Sequence, residues 1–242
     1  MKKIRTLLFA TAILSAIATF AKADEKLTVV ELFTSQGCSS CPPADAYLGD
    51  LAKRDDIIAL SLHVDYWDYI GWKDPYALPY NSARQRAYAH SLGMGYVYTP
   101  QMVIQGMAHT TGSDRKRVEK LIHDIEGAKR LDITISPVAG GLKLDIPGGT
   151  FEGQTAKILV AAFDKQDENN VTRGENSGHT LRHSNVVREM TEVGTWAGQP
   201  VSMLITDQMI QMAGRDGCAV LVQSTRNGRI LGAAKIGLTP QG

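Results

Sequence analysis

The chain has 242 residues, of which 43% are hydrophobic and 21% charged, and its 26 Lys and Arg against 25 Asp and Glu leave a formal net charge of +1. That near-balance gives no ground for nucleic acid or an anionic membrane surface as partner. Only three cysteines, Cys38, Cys41 and Cys218, exclude a fold stapled by many disulfides, and the odd number leaves at least one thiol over.

A basic head (Lys2, Lys3, Arg5) precedes an apolar run from Leu7 to Phe20 and the small-residue segment Ala21-Lys22-Ala23. This reads as a secretory signal peptide, residues 1–23, cleaved after Ala23. The run is shorter than the roughly 20 residues needed to cross a bilayer core, so a retained anchor is not expected. Removing the leader takes four basic residues and no acidic ones, which brings the mature chain to a net charge of −3. The localisation implied is periplasmic or secreted, with no stable membrane insertion after cleavage.

Leu27 to Phe33 is short, β-branched and apolar on both faces apart from Glu31, the pattern of a buried strand. Thr34-Ser35-Gln36-Gly37-Cys38-Ser39-Ser40-Cys41-Pro42-Pro43 follows. Ala44, Tyr47, Leu48 and Leu51 then recur at helical spacing, so Pro43 to about Lys53 reads as an amphipathic helix. The cysteine pair thus lies at a strand-to-helix junction. A bridge between Cys38 and Cys41 closes too small a loop to stabilise the fold appreciably, which favours redox or metal chemistry as its purpose. Zinc would need two further ligands, and no second Cys-x-x-Cys or close His pair follows nearby.

A second buried strand is expected at Ile57–Val64, followed by an aromatic loop from Asp65 to Tyr76. A helix from about Ser82 to Leu92, capped by Asn81, comes next. Tyr96 to Ile104 reads as a strand containing Thr99-Pro100, Gly106 as a turn into a strand at Met107–Thr111, and Ser113 as the cap of a helix ended by Gly127. Beyond Arg130 the helical period gives way to strand-like alternation, at Leu131–Ser136, Leu142–Ile146, Ile158–Phe163, Val186–Val193, Val201–Thr206 and Ala219–Ser224, and Asn227-Gly228 carries a strong hairpin signal. Residues 24–130 and 131–242 therefore read as two domains, the second an antiparallel β-sandwich of about seven strands.

The order β-α-β-α-β-β-α around the Cys-x-x-Cys pair, with Thr99-Pro100 opening a later strand, resembles the thioredoxin fold over about Leu27 to Lys129. The resemblance implies an α/β thioredoxin-like domain followed by the β-sandwich. It also implies that Cys38 attacks and Cys41 resolves, that Pro100 is cis and faces the pair with Thr99 offering backbone hydrogen bonds, and that Glu31 is a buried acid beneath Cys41. Glu31 reads equally as half of an ion pair. A thiol at a helix N-terminus ionises readily, but Pro42 and Pro43 have no N–H to offer an anion there. The segment Phe33–Asp45, Thr99-Pro100-Gln101 and Arg173-Gly174-Glu175-Asn176-Ser177-Gly178 together resemble a family of secreted bacterial proteins of unknown function.

The functional expectation is an exported thiol–disulfide oxidoreductase acting on a protein or small-thiol partner, with no cofactor and no metal. The alternative is a redox-sensing or soft-metal, Cu(I), binding module whose β domain recognises the partner. Trp67, Tyr69 and Trp72 are candidate walls of a substrate groove, or else seal the contact between the two halves. The Arg173–His183 stretch reads as a polar loop packing near the redox site, with His179 and His183 a weaker metal candidate. Cys218 reads as a buried strand thiol, and His63, His90, His109 and His123 carry no assigned role.

Overall fold

The computed structural model describes residues 26–151 and 155–238, so the leader and its cleavage after Ala23 lie outside the described residues. Strands β1 (Thr28–Thr34) and β2 (Ile57–His63) enclose helix α1 (Pro42–Leu51), and α2 (Pro79–Ser91) leads to β3 (Gln101–Ile104), β4 (Ala108–Thr111) and α3 (Arg115–Asp124). There follow β5 (Thr134–Val138), β6 (Gly141–Ile146), β7 (Ala156–Asn170), β8 (Thr180–Trp196), β9 (Val201–Ile205), β10 (Gly217–Ser224) and β11 (Ile230–Gly237).

The expected fold class, a thioredoxin-like α/β domain followed by a β-sandwich, is overturned. The described residues are mostly β: one eight-stranded mixed sheet in the order β11-β10-β7-β8-β2-β1-β3-β4, and one three-stranded sheet, β5-β6-β9. Strands from both sides of residue 130 share the large sheet. The physical reason is a common core. Val29, Phe33 and Leu60 from β1 and β2 pack in one cluster with Leu159, Ala161 and Leu221 from β7 and β10, under Tyr88 of α2. The opposite face divides its covering. Val30, Leu32 and Met102 lie against α1 and α3, whereas Ile158, Val160, Val220 and Val222 lie against the small sheet.

Within the large sheet, the ladder that joins the halves is short. β2 and β8 run parallel through a single registered pair, Ser61↔Val186, where Asn185 adopts a positive φ of 50° and its amide donates to the Ala59 carbonyl at 2.9 Å. Asparagine tolerates this left-handed conformation better than most residues, and its side chain supplies the hydrogen bond that the ladder lacks there.

Three local expectations also change. β7 and β8 form a hairpin of 15 and 17 residues, longer than the apolar runs at Ile158–Phe163 and Val186–Val193. Its outer half, including Asp164 to Asn170, is polar because it projects past the sheet. Helix α2 starts at Pro79, so Asn81 is inside it, buried, and donates to the His63 carbonyl at 2.9 Å. The N-cap of α3 is Asp114, not Ser113: its side chain accepts from the Arg117 N–H. Among the described residues, no helix is long and apolar enough to cross a membrane.

Candidate functional site

Cys38 and Cys41 are joined in a disulfide with Cα atoms 5.4 Å apart. β1 ends at Thr34, a tight turn follows in which Gly37 N–H donates to Ser35 Oγ at 3.0 Å, and Cys41 is the N-cap of α1. Cys38 Sγ lies 3.4 Å from Ser40 Oγ. The helix start is poor in free donors, because its first two residues are prolines and the Ala44 and Asp45 N–H groups both turn back to the Cys41 carbonyl. The dipole remains, but few N–H groups are left to hold an anion.

The Thr99–Pro100 bond is cis. Phe33 registers with Gln101, so Pro100 stands at the same end of the sheet as the disulfide. Trp67 joins the two: its indole N–H donates to Thr99 Oγ1 at 2.8 Å, and its Cβ is 3.0 Å from where a side chain on Gly37 would begin. A side chain there would need Trp67 or Ile70 to give way by a few tenths of an ångström. Trp72 donates to Gln36 Oε1 at 3.0 Å, whereas Tyr69 is 82% exposed.

Glu31 is not beneath Cys41. Residues alternate across a strand, and Glu31 shares the face of Val29 and Phe33, opposite the one that α1 covers. There Arg84 holds it by two bonds, Nε to Oε1 at 2.6 Å and Nη2 to Oε2 at 3.0 Å, and Tyr88 and Gln223 complete the arrangement around the guanidinium. Burial favours the neutral tyrosine, and the adjacent carboxylate adds to it, so Tyr88 is pushed well above its ordinary pKa.

Beside the disulfide is a second buried polar group that sequence reasoning missed. Gln36, fully buried, is its hub. Its backbone N–H donates to Asp74 Oδ2 at 2.8 Å, its Oε1 accepts from Trp72 and Asn169, and its Nε2 is 3.3 Å from His183 Nε2. His63 Nδ1 lies 2.7 Å from Asp74 Oδ2, and the His63 and His183 rings meet edge to face at 4.5 Å. Burial opposes the charged form of His63, but the contact with Asp74 outweighs it and raises the pKa. For Asp74, burial likewise opposes ionisation and the His63 contact prevails, holding the carboxyl below its usual range. Asp45, on the first turn of α1, brings Oδ1 to 3.7 Å from His183 Nδ1, beyond hydrogen-bond reach. Among the described residues, Asp45 Oδ1, His183 Nδ1, His63 Nε2 and Asp167 Oδ2 find no hydrogen-bond partner, although Arg188 Nη1 stands 4.0 Å from Asp167 Oδ2.

The connection between β7 and β8 covers this end. Asn176 Nδ2 donates to the Gln36 carbonyl at 2.8 Å and to the Cys38 carbonyl at 3.1 Å, and Ser39 N–H donates to Glu175 Oε2 at 3.1 Å. Cys38 and Cys41 are 1% and 0% exposed. His179 and His183 do not act together: His179 is exposed on the turn and His183 is buried in β8. Cys218 is a buried free thiol whose pKa burial pushes up to about 12. The signals that could have exposed Gln36, His63 and Asp74 were faint, a polar residue after each of two apolar strands and one Asp in an aromatic loop.

Residues 29–223 match the family described as Protein of unknown function (DUF1223), and the chain belongs to that family. A crystal structure of a structural-genomics target protein from Agrobacterium tumefaciens is similar at 32% identity with a TM-score of 0.78, covering 88% of this chain and 96% of that one. HBP35 of Porphyromonas gingivalis shares the fold at 11% identity with a TM-score of 0.59, over 88% of this chain and 76% of that one. No curated protein sequence matches the chain.

Proposed function

We propose that this member of the DUF1223 family is an exported thiol–disulfide oxidoreductase that exchanges electrons with a protein or small-thiol partner through Cys38 and Cys41. The observation that carries the reading is the placement of an intact Cys38–Cys41 disulfide at the start of α1, at the same sheet end as cis-Pro100 and tied to Thr99 through Trp67. A bridge between residues three apart contributes little to stability, so holding it among buried polar groups argues for chemistry.

The exchange runs in two displacements. A partner thiolate attacks Cys38 Sγ, the electron pair of the S–S bond leaves on Cys41, and Cys41 takes a proton. The partner's second thiol, deprotonated, then attacks the partner sulfur of the mixed disulfide and expels Cys38. The partner dithiol is oxidised to a disulfide and the Cys38–Cys41 pair is reduced; the reverse sequence reduces a partner disulfide. Export rests on the basic and apolar leader and on the oxidised pair, since disulfides persist in oxidising compartments.

The test is an exchange assay with a dithiol peptide at known thiol potential. Cys38→Ser should abolish turnover, and full activity in that variant would end the proposal. Anaerobic titration with Cu(I) separates the redox reading from a soft-metal site, which would bind the metal stoichiometrically through both thiolates and show no exchange.

A further inference from the structure

The proposed exchange meets an obstacle: the attacked sulfur is buried beneath residues of this same chain. Between Thr172 and Thr180 only Gly174 and Asn176 have much surface covered, and the remaining residues are exposed. The segment is built to keep its own shape. Val171 N–H donates to the His179 carbonyl, Gly178 N–H to the Val171 carbonyl and Ser177 N–H to the Gly174 carbonyl, while Gly174 and Gly178 take positive φ of 75° and 84°. Its hold on the disulfide is slight by comparison: the Glu175 bond, the two Asn176 bonds and the approach of Gly174 to Trp72. A segment with firm internal bonds and almost no apolar burial against its neighbour separates at low cost.

We propose that residues 174–176 occupy the place of the partner, and that the surface beneath them receives an extended peptide segment bearing the reacting thiol. The inference rests on the exchange reading above. What the cover satisfies defines what must replace it. The Ser39 N–H needs an acceptor and the Gln36 carbonyl a donor, while the Cys38 carbonyl, which keeps the Cys41 N–H at 3.2 Å, has room for a second donor. The carbonyl and N–H groups of an extended backbone supply both, with Trp72 beside them as an apolar wall and Trp67 with Thr99 at the cis-proline end. A thiol without a flanking peptide leaves these groups bare or covered by the loop. Glu175 adds a second effect. Its carboxyl is held below the usual range by its hydrogen bond to Ser39, so it is a negative charge beside Cys38 that opposes a thiolate there. Displacing the loop exposes the sulfur and removes that charge together.

The experiment has two arms. In the first, tris(2-carboxyethyl)phosphine reduces the bridge in the wild-type protein, in Asn176→Ala and in Glu175→Gln, each checked for folding by its thermal transition. Losing the two Asn176 bonds should speed reduction roughly tenfold or more, and losing the Glu175 charge a few-fold. Equal rates in all three folded proteins overturn the cover. Should Asn176→Ala not fold, the exposed Glu175→Gln carries this arm alone. In the second arm, an unstructured ten-residue peptide with a central cysteine is compared with N-acetylcysteine at equal thiolate concentration. The peptide should react about tenfold faster with wild type; equal rates overturn the peptide surface. Phosphine reduction does not require physiological exchange. A faster Asn176→Ala that no thiol can reduce would therefore reject the exchange reading while leaving the cover standing.

Discussion

Two buried polar assemblies, one around Glu31 of β1 and the other around His63 at the end of β2, differ in completeness. On the α2 face, Glu31, Arg84, Tyr88 and Gln223 satisfy one another, and none of their side-chain atoms is left without a partner. At the disulfide end, Asp45, His63, His183 and Asp167 each retain a buried atom without a hydrogen-bond partner among the described residues. A closed ion pair is what a structural joint needs. Open donors and acceptors beside a disulfide fit the proton and thiol exchange proposed above, although Ser61, Asn81, Arg130 and Arg229 also retain such atoms elsewhere.

The comparison is broken most strongly at Arg84. Arg84→Ala leaves the Glu31 carboxylate buried without its partner and should cost about 3–5 kcal/mol of stability, measured by denaturant unfolding, with the exchange rate of the remaining folded protein unchanged. A small stability loss with a collapsed exchange rate would make Glu31 part of the redox chemistry after all.

Asp74→Asn sharpens the contrast through pH. The raised pKa of His63 means its contribution is complete below about pH 6.5 and is lost as pH rises through the raised value. The lowered pKa of Asp74 means its contribution is complete above about pH 3.9 and is lost as pH falls through the lowered value. Wild type should therefore exceed Asp74→Asn most between about pH 4 and 6.5. The gap should narrow towards alkaline pH in a series of unfolding curves. A pH-independent gap would show that the His63–Asp74 pair is not the source. Trp67→Phe, the mildest change, should cost about 1 kcal/mol for the lost Thr99 bond yet slow exchange, because Thr99 loses its anchor. Unaltered exchange would remove Trp67 from the site.

How much of this was legible follows the same division. Apolar periodicity located β1, α1, β2 and α3, since each buries a stripe that the chain writes plainly, and it placed Cys38 and Cys41 at their junction. The architecture was not legible. Val29 and Leu221 are nearly two hundred residues apart, and no local pattern says that they share one core. The β7–β8 hairpin was cut short because Lys165 to Asn170 carry the polarity of a loop while continuing as strand beyond the sheet. Glu31 was visible as a polar residue in an apolar run, but alternation alone could not say which helix covers its side. Gln36, Asp74 and His183 act as a unit only after the fold assembles three distant segments.

The most direct test of the account is to trap the first displacement. A Cys41→Ala variant, incubated with a cysteine-containing peptide disulfide, retains the attacking thiol and lacks the one that resolves it. The account predicts a mixed disulfide through Cys38, seen by mass spectrometry of the intact protein and absent from Cys38→Ser. If Cys38 in Cys41→Ala is alkylated readily by iodoacetamide, and so is accessible, yet forms no mixed disulfide, the cysteine pair is not an exchange site.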